Sequence, residues 1–147
     1  MIIFAERIAF QALSFSFIIN VTTVRGGVFM SATKEQLELF LFYLSETHTK
    51  SLSLHDLVTS RPRPEEARIL LNINEVFTYY HSARVLYTSV PALENNKSEP
   101  FFQAFENFYF ELKQHFFNEE DETHQLNERL EEMKIAFEQL TDDYNVL

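Results

Sequence analysis

The chain lacks cysteine and tryptophan altogether, and it has two glycines and four prolines in 147 residues. Without cysteine it has no disulfide framework, no thiolate nucleophile and no Cys-based metal site, a composition that fits a reducing cytoplasm. Both glycines, Gly26 and Gly27, stand side by side. No Gly-rich phosphate loop follows them, and no G-x-S-x-G or H-E-x-x-H string occurs anywhere. Long apolar runs are missing as well. The stretch from Ile8 to Val21 is interrupted by Gln11, Ser14, Ser16 and Asn20, and it falls short of the roughly 20 apolar residues that a membrane span takes. Positive charge is scarce: 12 Lys and Arg face 22 Asp and Glu, a formal charge of -10. That balance opposes non-specific attachment to nucleic acid or anionic lipid, both polyanions.

What the chain does hold is phenylalanine, 16 residues of it, within an apolar fraction of 46%. This is enough for one domain with a core built of Phe and Leu. Beyond Met30 the pattern is helical. Thr33 to Gln36 reads as a capping box, and the run Leu37 to Leu44, apolar on nearly every side, predicts a first helix over 33–48 that lies deep. The polar, Pro-punctuated stretch after it leaves room for a short helical turn near 54–59. Pro64, Glu65 and Glu66 mark a second start. Ile69, Ile73, Val76, Tyr80, Ala83 and Tyr87 then recur at steps of four and three, widened by Leu70 and Phe77, which predicts a helix over 64–88. Pro91 and the pair Asn95-Asn96 mark a loop. A third helix over 99–118 carries aromatics on more than one face and is expected to be central.

After an acidic break, Leu126, Leu130, Met133, Phe137, Leu140, Tyr144 and Leu147 form a heptad seam in a fourth helix over 122–146. The same phase runs back through Phe116, Leu112, Tyr109, Phe105 and Phe102, failing at Glu119 and Thr123. One helix of about 45 residues, roughly 70 Å long, and a hairpin turning at 118–122 both satisfy it. The hairpin covers the aromatic helix better, so the expected fold is all-α, an antiparallel, up-and-down four-helix bundle over 30–147.

Residues 1–29 read differently. They contain one acid, Glu6, and are rich in Ile and Phe. A signal peptide fits poorly because Glu6 cancels Arg7 and polar residues break the apolar stretch. A hairpin turning at Gly26-Gly27 is conceivable but small. Arg25-Gly26-Gly27 can also be encoded AGA-GGA-GGN, which contains the AGGAGG core of a bacterial ribosome-binding site. Val28 and Phe29 then act as spacer and Met30 as the start codon. The expectation is that 1–29 stands outside the folded domain and that the source is bacterial.

The string His115 to Glu120 resembles the H-F-x-x-E-E element of hemerythrin-type di-iron bundles. In that family a helical His and Glu four residues apart ligate metal, and further histidines come from other helices. His48, His55, His81 and His124 lack the spacing the family requires, so no metal and no cofactor is expected. Tyr79, Tyr80 and His81 and the many acids are the raw material for acid–base work, without a pattern that pairs them. Arg61, Arg63 and Arg68, a basic loop that with Lys50 makes up the chain's one basic cluster, are what a DNA-binding reading would use, but the following helix opens on two acids and offers phosphates little. A ligand-holding bundle would line its cavity with Phe105, Phe108, Phe116, Tyr80 and His115.

The expected function is that of a small, acidic, cytoplasmic, non-catalytic protein acting through protein–protein contacts, with regulation among its possible roles. The expected site is the C-terminal seam, Leu126, Leu130, Met133, Phe137 and Leu140. It would meet a basic protein partner or a second copy, its flanking acids selecting the partner. The ligand-holding bundle and the DNA-binding regulator are the alternatives.

Overall fold

A computed structural model describes residues 32–94, 97–118 and 122–145. The readings of 1–29 fall outside them, as do Asn95, Asn96 and Glu119 to Asp121. Among the described residues there is no strand. Four helices follow in order: α1 (Lys34–Thr59), α2 (Glu66–Ser89), α3 (Ser98–Phe117) and α4 (His124–Asn145), with one 3-10 turn at Pro91–Leu93. They form an antiparallel four-helix bundle in which α1 packs closely along α2, and α3 along α4. The fourth and third helices are separate, so the seam belongs to a hairpin.

The start of α1 follows its sequence. The Gln36 amide donates to Thr33 Oγ1 at 3.2 Å, and the Thr33 amide donates to Gln36 Oε1 at 2.9 Å. Its end does not. The helix runs unbroken to Thr59, where a fade near His48 and a separate turn were expected. Burial of Leu54 and Val58 favours the continuous helix, and its hydroxyls do not oppose it. Thr47 donates to the Tyr43 carbonyl and Ser51 to the Thr47 carbonyl, each at 2.7 Å, and Thr59 donates to the His55 carbonyl at 2.9 Å. Their helix propensity is only a few tenths of a kcal/mol below that of good formers. Once each hydroxyl bonds within the helix, it can be buried at little cost. Phe40, Leu44, Thr47, Ser51, Leu54 and Val58 therefore make one buried stripe at steps of four and three.

The depth expected of α1 is also corrected. Leu39 and Phe42 are 41% and 42% exposed, so the run Leu37 to Leu44 divides between core and surface. In α2 the stripe Ile69, Ile73, Val76, Tyr80 and Ala83 is buried as expected, Leu70 and Tyr87 are half-buried, and Phe77, expected to widen the stripe, is instead 43% exposed. In α3, Phe101, Phe102, Phe105, Phe108, Leu112 and Phe116 are buried, while Phe110 and Phe117 face outward at 60% and 62% exposure.

Rings join the two hairpins. Tyr80 of α2 stacks on Phe105 of α3 at 4.5 Å and meets Phe102 edge-on at 5.9 Å. Phe40 of α1 and Tyr87 of α2 both pack against Phe102, at 6.4 and 5.3 Å. Such pairs add about 0.5–1.5 kcal/mol each beyond their buried area. The skew toward phenylalanine thus becomes an aromatic joint between α2 and α3.

Candidate interaction surface

The five seam residues occupy the core. Leu126, Leu130, Met133 and Leu140 are at most 6% exposed, and Phe137 is half-buried against Phe101 at 5.5 Å. This corrects the expectation that the seam offers a surface to a partner. A heptad stripe satisfies an intramolecular neighbour as well as a second chain, and here α3 supplies that neighbour in the same phase. What α4 turns outward is Glu128, Glu131, Glu132, Glu138 and Asp142, with Ile135 among them.

The aromatic set of the ligand-holding alternative is core too: Phe105, Phe108, Phe116, Tyr80 and His115 are each at most 8% exposed. His115 lies in the last turn of α3, and Glu119 and Glu120 are outside the described residues. Among the described residues no three His, Asp or Glu side chains gather as a metal-binding group.

The basic loop disperses. Arg61 is exposed and donates to the Ser60 carbonyl at 3.2 Å. Arg63 lies over the Phe116 ring at 5.8 Å, so the loop docks on the aromatic helix α3. Arg68 is exposed at the start of α2, and Lys50 pairs with Glu75 at 2.5 Å across α1 and α2. The chain brings together no cationic cluster from Lys50, Arg61, Arg63 and Arg68.

Tyr79, Tyr80 and His81 diverge because successive helical residues point about 100° apart. Tyr80 donates its phenolic hydrogen to Glu106 of α3. Burial and then that bond hold its hydroxyl well above the usual phenol range. His81 stacks on Phe77 at the surface, 6.1 Å away, and Phe77 covers Tyr109 at 5.5 Å. Further along, Arg84 makes a two-pronged bond to Glu99, at 2.6 and 3.0 Å, while lying 4.7 Å over the Phe102 ring. The bond to Arg84 lowers the Glu99 carboxyl, and the carboxylate also faces the positive end of α3. These groups clasp α2 to α3.

Tyr79 points the other way, to the outer face of the first hairpin. Phe42 meets it edge-on at 6.2 Å and lies 5.6 Å from Tyr43, which in turn is 6.4 Å from Tyr79. Leu39 stands one helical turn before Phe42 on the same side. Around this apolar group are Glu35, Glu38 and Glu46. Lys34 engages Glu38 at 3.5 Å, and Lys50, which lies 6.0 Å over the Tyr79 ring, is paired with Glu75. The result is an exposed aromatic patch with an acidic surround. Sequence reasoning missed it by assigning the whole run Leu37 to Leu44 to the core. The signal was available: Leu39 and Phe42 share a face with Glu35, Glu38 and Glu46.

No protein-family model matches this chain, and neither a curated protein nor a solved structure matches it.

Proposed function

We propose that the protein is a non-catalytic helical interaction module of the cytoplasm, which holds a helix of a basic protein partner on the outer face of α1 and α2. One observation carries this reading: Leu39, Phe42, Tyr43 and Tyr79 form an aromatic patch in which Leu39 and Phe42 remain about two-fifths exposed. Exposed large apolar groups that touch one another mark contact surfaces more often than singly scattered ones do. A partner helix laid across this patch would set its apolar residues on Phe42 and Tyr79 and its Lys or Arg beside Glu35, Glu38 and Glu46.

A contact role is favoured over a ligand-holding one because Tyr80, Phe105 and Phe108 are consumed in packing. It is favoured over a DNA-binding one because Arg63 and Lys50 are engaged by Phe116 and Glu75.

The test is capture from cell extract on immobilised protein, run in parallel with Phe42→Glu and Ile135→Glu. Ile135 is exposed on α4 and serves as the control. The expected result is a partner retained by the wild type and by Ile135→Glu, lost with Phe42→Glu, and eluted by raised salt. Equal capture by the Phe42→Glu protein overturns the reading.

A further inference from the structure

The outward face of α3 carries a second heptad pattern, distinct from the core seam. Gln103, Asn107, Phe110, Gln114 and Phe117 follow at steps of four, three, four and three, and none is charged. Phe110 and Phe117 are the two most exposed phenylalanines among the described residues. Apart from them the stripe is amide. Gln103 Nε2 donates to Asn107 Oδ1, and Asn118 Nδ2 donates to Gln114 Oε1, both at 3.2 Å along the helix. A neutral, heptad-spaced stripe is unexpected on a solvated helix of so acidic a chain.

Its flanks suggest what covers it. On the side toward α2, the half-buried Glu106, one of whose oxygens accepts from Tyr80, precedes Asn107, and the half-buried Lys113, 4.7 Å over the Tyr109 ring, precedes Gln114. These two opposite charges stand one heptad apart, almost symmetrically about Phe110. Two such helices laid antiparallel, with Phe110 against Phe110, bring Glu106 of each copy opposite Lys113 of the other. Gln103 then meets Phe117, and Asn107 meets Gln114, where amides can bond amides and fix the register. On the other flank Glu111 would approach its own counterpart. Arg129 of α4 lies close enough to feel the Glu111 charge and offsets that repulsion.

We propose that the protein self-associates through this face, forming a two-fold antiparallel pair of α3 helices centred on Phe110. The surface is isologous, as a two-fold dimer requires: one patch complements itself. A single helix pair of about four turns falls at the small end of specific interfaces, so the dimer forms at micromolar or higher concentration and dissociates on dilution. This inference goes beyond the partner reading above. The α1 and α2 patch lies on other helices and stays open in such a dimer, which would then present two partner sites and gain avidity.

Sedimentation equilibrium over a range on the order of 5 to 500 µM tests it, with circular dichroism confirming the fold of each variant. The wild type should shift from monomer to dimer. Phe110→Glu, a change at an exposed site, should stay monomeric with an unchanged spectrum. Glu106→Lys and Lys113→Glu should each weaken self-association at least tenfold, because each sets like charges opposite one another. Mixed in equal amounts the two variants should recover a heterodimer, since every facing pair is then opposite in sign. A wild type that is monomeric throughout overturns the proposal, as does a Phe110→Glu protein that dimerises normally. Folded charge variants that fail to recover on mixing overturn it too. Failure of partner capture in the preceding experiment would leave this dimer standing, so the two readings fail separately.

Discussion

His48 of α1 lies flat on Phe137 of α4, ring centres 4.1 Å apart and planes 8° from parallel. Burial, and secondarily the nearby Lys134 ammonium, push its pKa down from the usual 6.5 to about 4. The folded state therefore holds a neutral imidazole against a neutral ring, and protonation is disfavoured there more than in the unfolded chain.

The sign of the pH effect follows from that. Between about pH 6.5 and 4 the unfolded chain binds a proton at His48 that the folded one does not, so stability falls as pH drops through this window. Replacing His48 by Phe keeps the stack and removes the proton. Urea melts of both proteins from pH 7.5 to 4 should show a shallower decline for His48→Phe within that window. Parallel curves would mean that His48 titrates alike in both states.

Tyr80 and Glu106 give a second prediction. Tyr80→Phe leaves the stack on Phe105 and removes the donor to a half-buried carboxylate. The expected loss is about 1 kcal/mol, because the carboxylate can recover some hydration. A double-mutant cycle with Glu106→Gln should yield a coupling of at least about 0.5 kcal/mol, as groups in direct contact do.

The fate of the seam is tested by comparing two sites on one helix. Leu130 and Met133 are core, whereas Ile135 is 52% exposed. Met133→Ala should cost about 2–5 kcal/mol and Leu130→Glu should prevent folding, but Ile135→Ala should stay within about 0.5 kcal/mol of wild type. A folded, stable Leu130→Glu protein would place the seam at the surface again.

The continuity of α1 is open to amide hydrogen exchange. Protection should run unbroken from Leu44 through Val58, with no fast-exchanging gap at Thr49 to Leu52. Thr47→Val, which removes a buried hydroxyl bonded only within its own helix, should leave that pattern and the overall stability nearly unchanged.

Much of this fold was legible residue by residue. The capping box at Thr33 was written locally, since both of its bonds join groups three residues apart. The stripe of α2 from Ile69 to Ala83 was visible for a similar reason: helical periodicity needs only the 3.6-residue repeat. The region from Thr47 to Ser60 was misread because serines, threonines and a nearby proline pair imply a loop when judged by local preference alone. Burial of Leu54 and Val58 outweighed that preference, and bonds to preceding carbonyls left the Thr47 and Ser51 hydroxyls satisfied inside the same buried stripe.

The candidate site was legible only in part. The heptad of α4 could be read, but its occupant could not, because a seam has the same spacing whether a neighbouring helix or another molecule fills it. Spacing alone puts Leu39 and Phe42 on one face with Glu35, Glu38 and Glu46, but Tyr79 joins them only when α1 lies along α2. The same holds for Glu106 and Tyr80.

By itself, then, the sequence determined the helical class, the helix starts and the apolar stripes, together with the exclusion of thiol chemistry, because these depend on composition and on spacing within a few turns. The tertiary structure alone decided which apolar residues were left over. Four stripes can satisfy one another, and once α3 had covered the seam, Phe42, Phe110 and their neighbours remained facing water. Burial is a property of pairs of elements, and no single helix encodes which of its faces will find a partner.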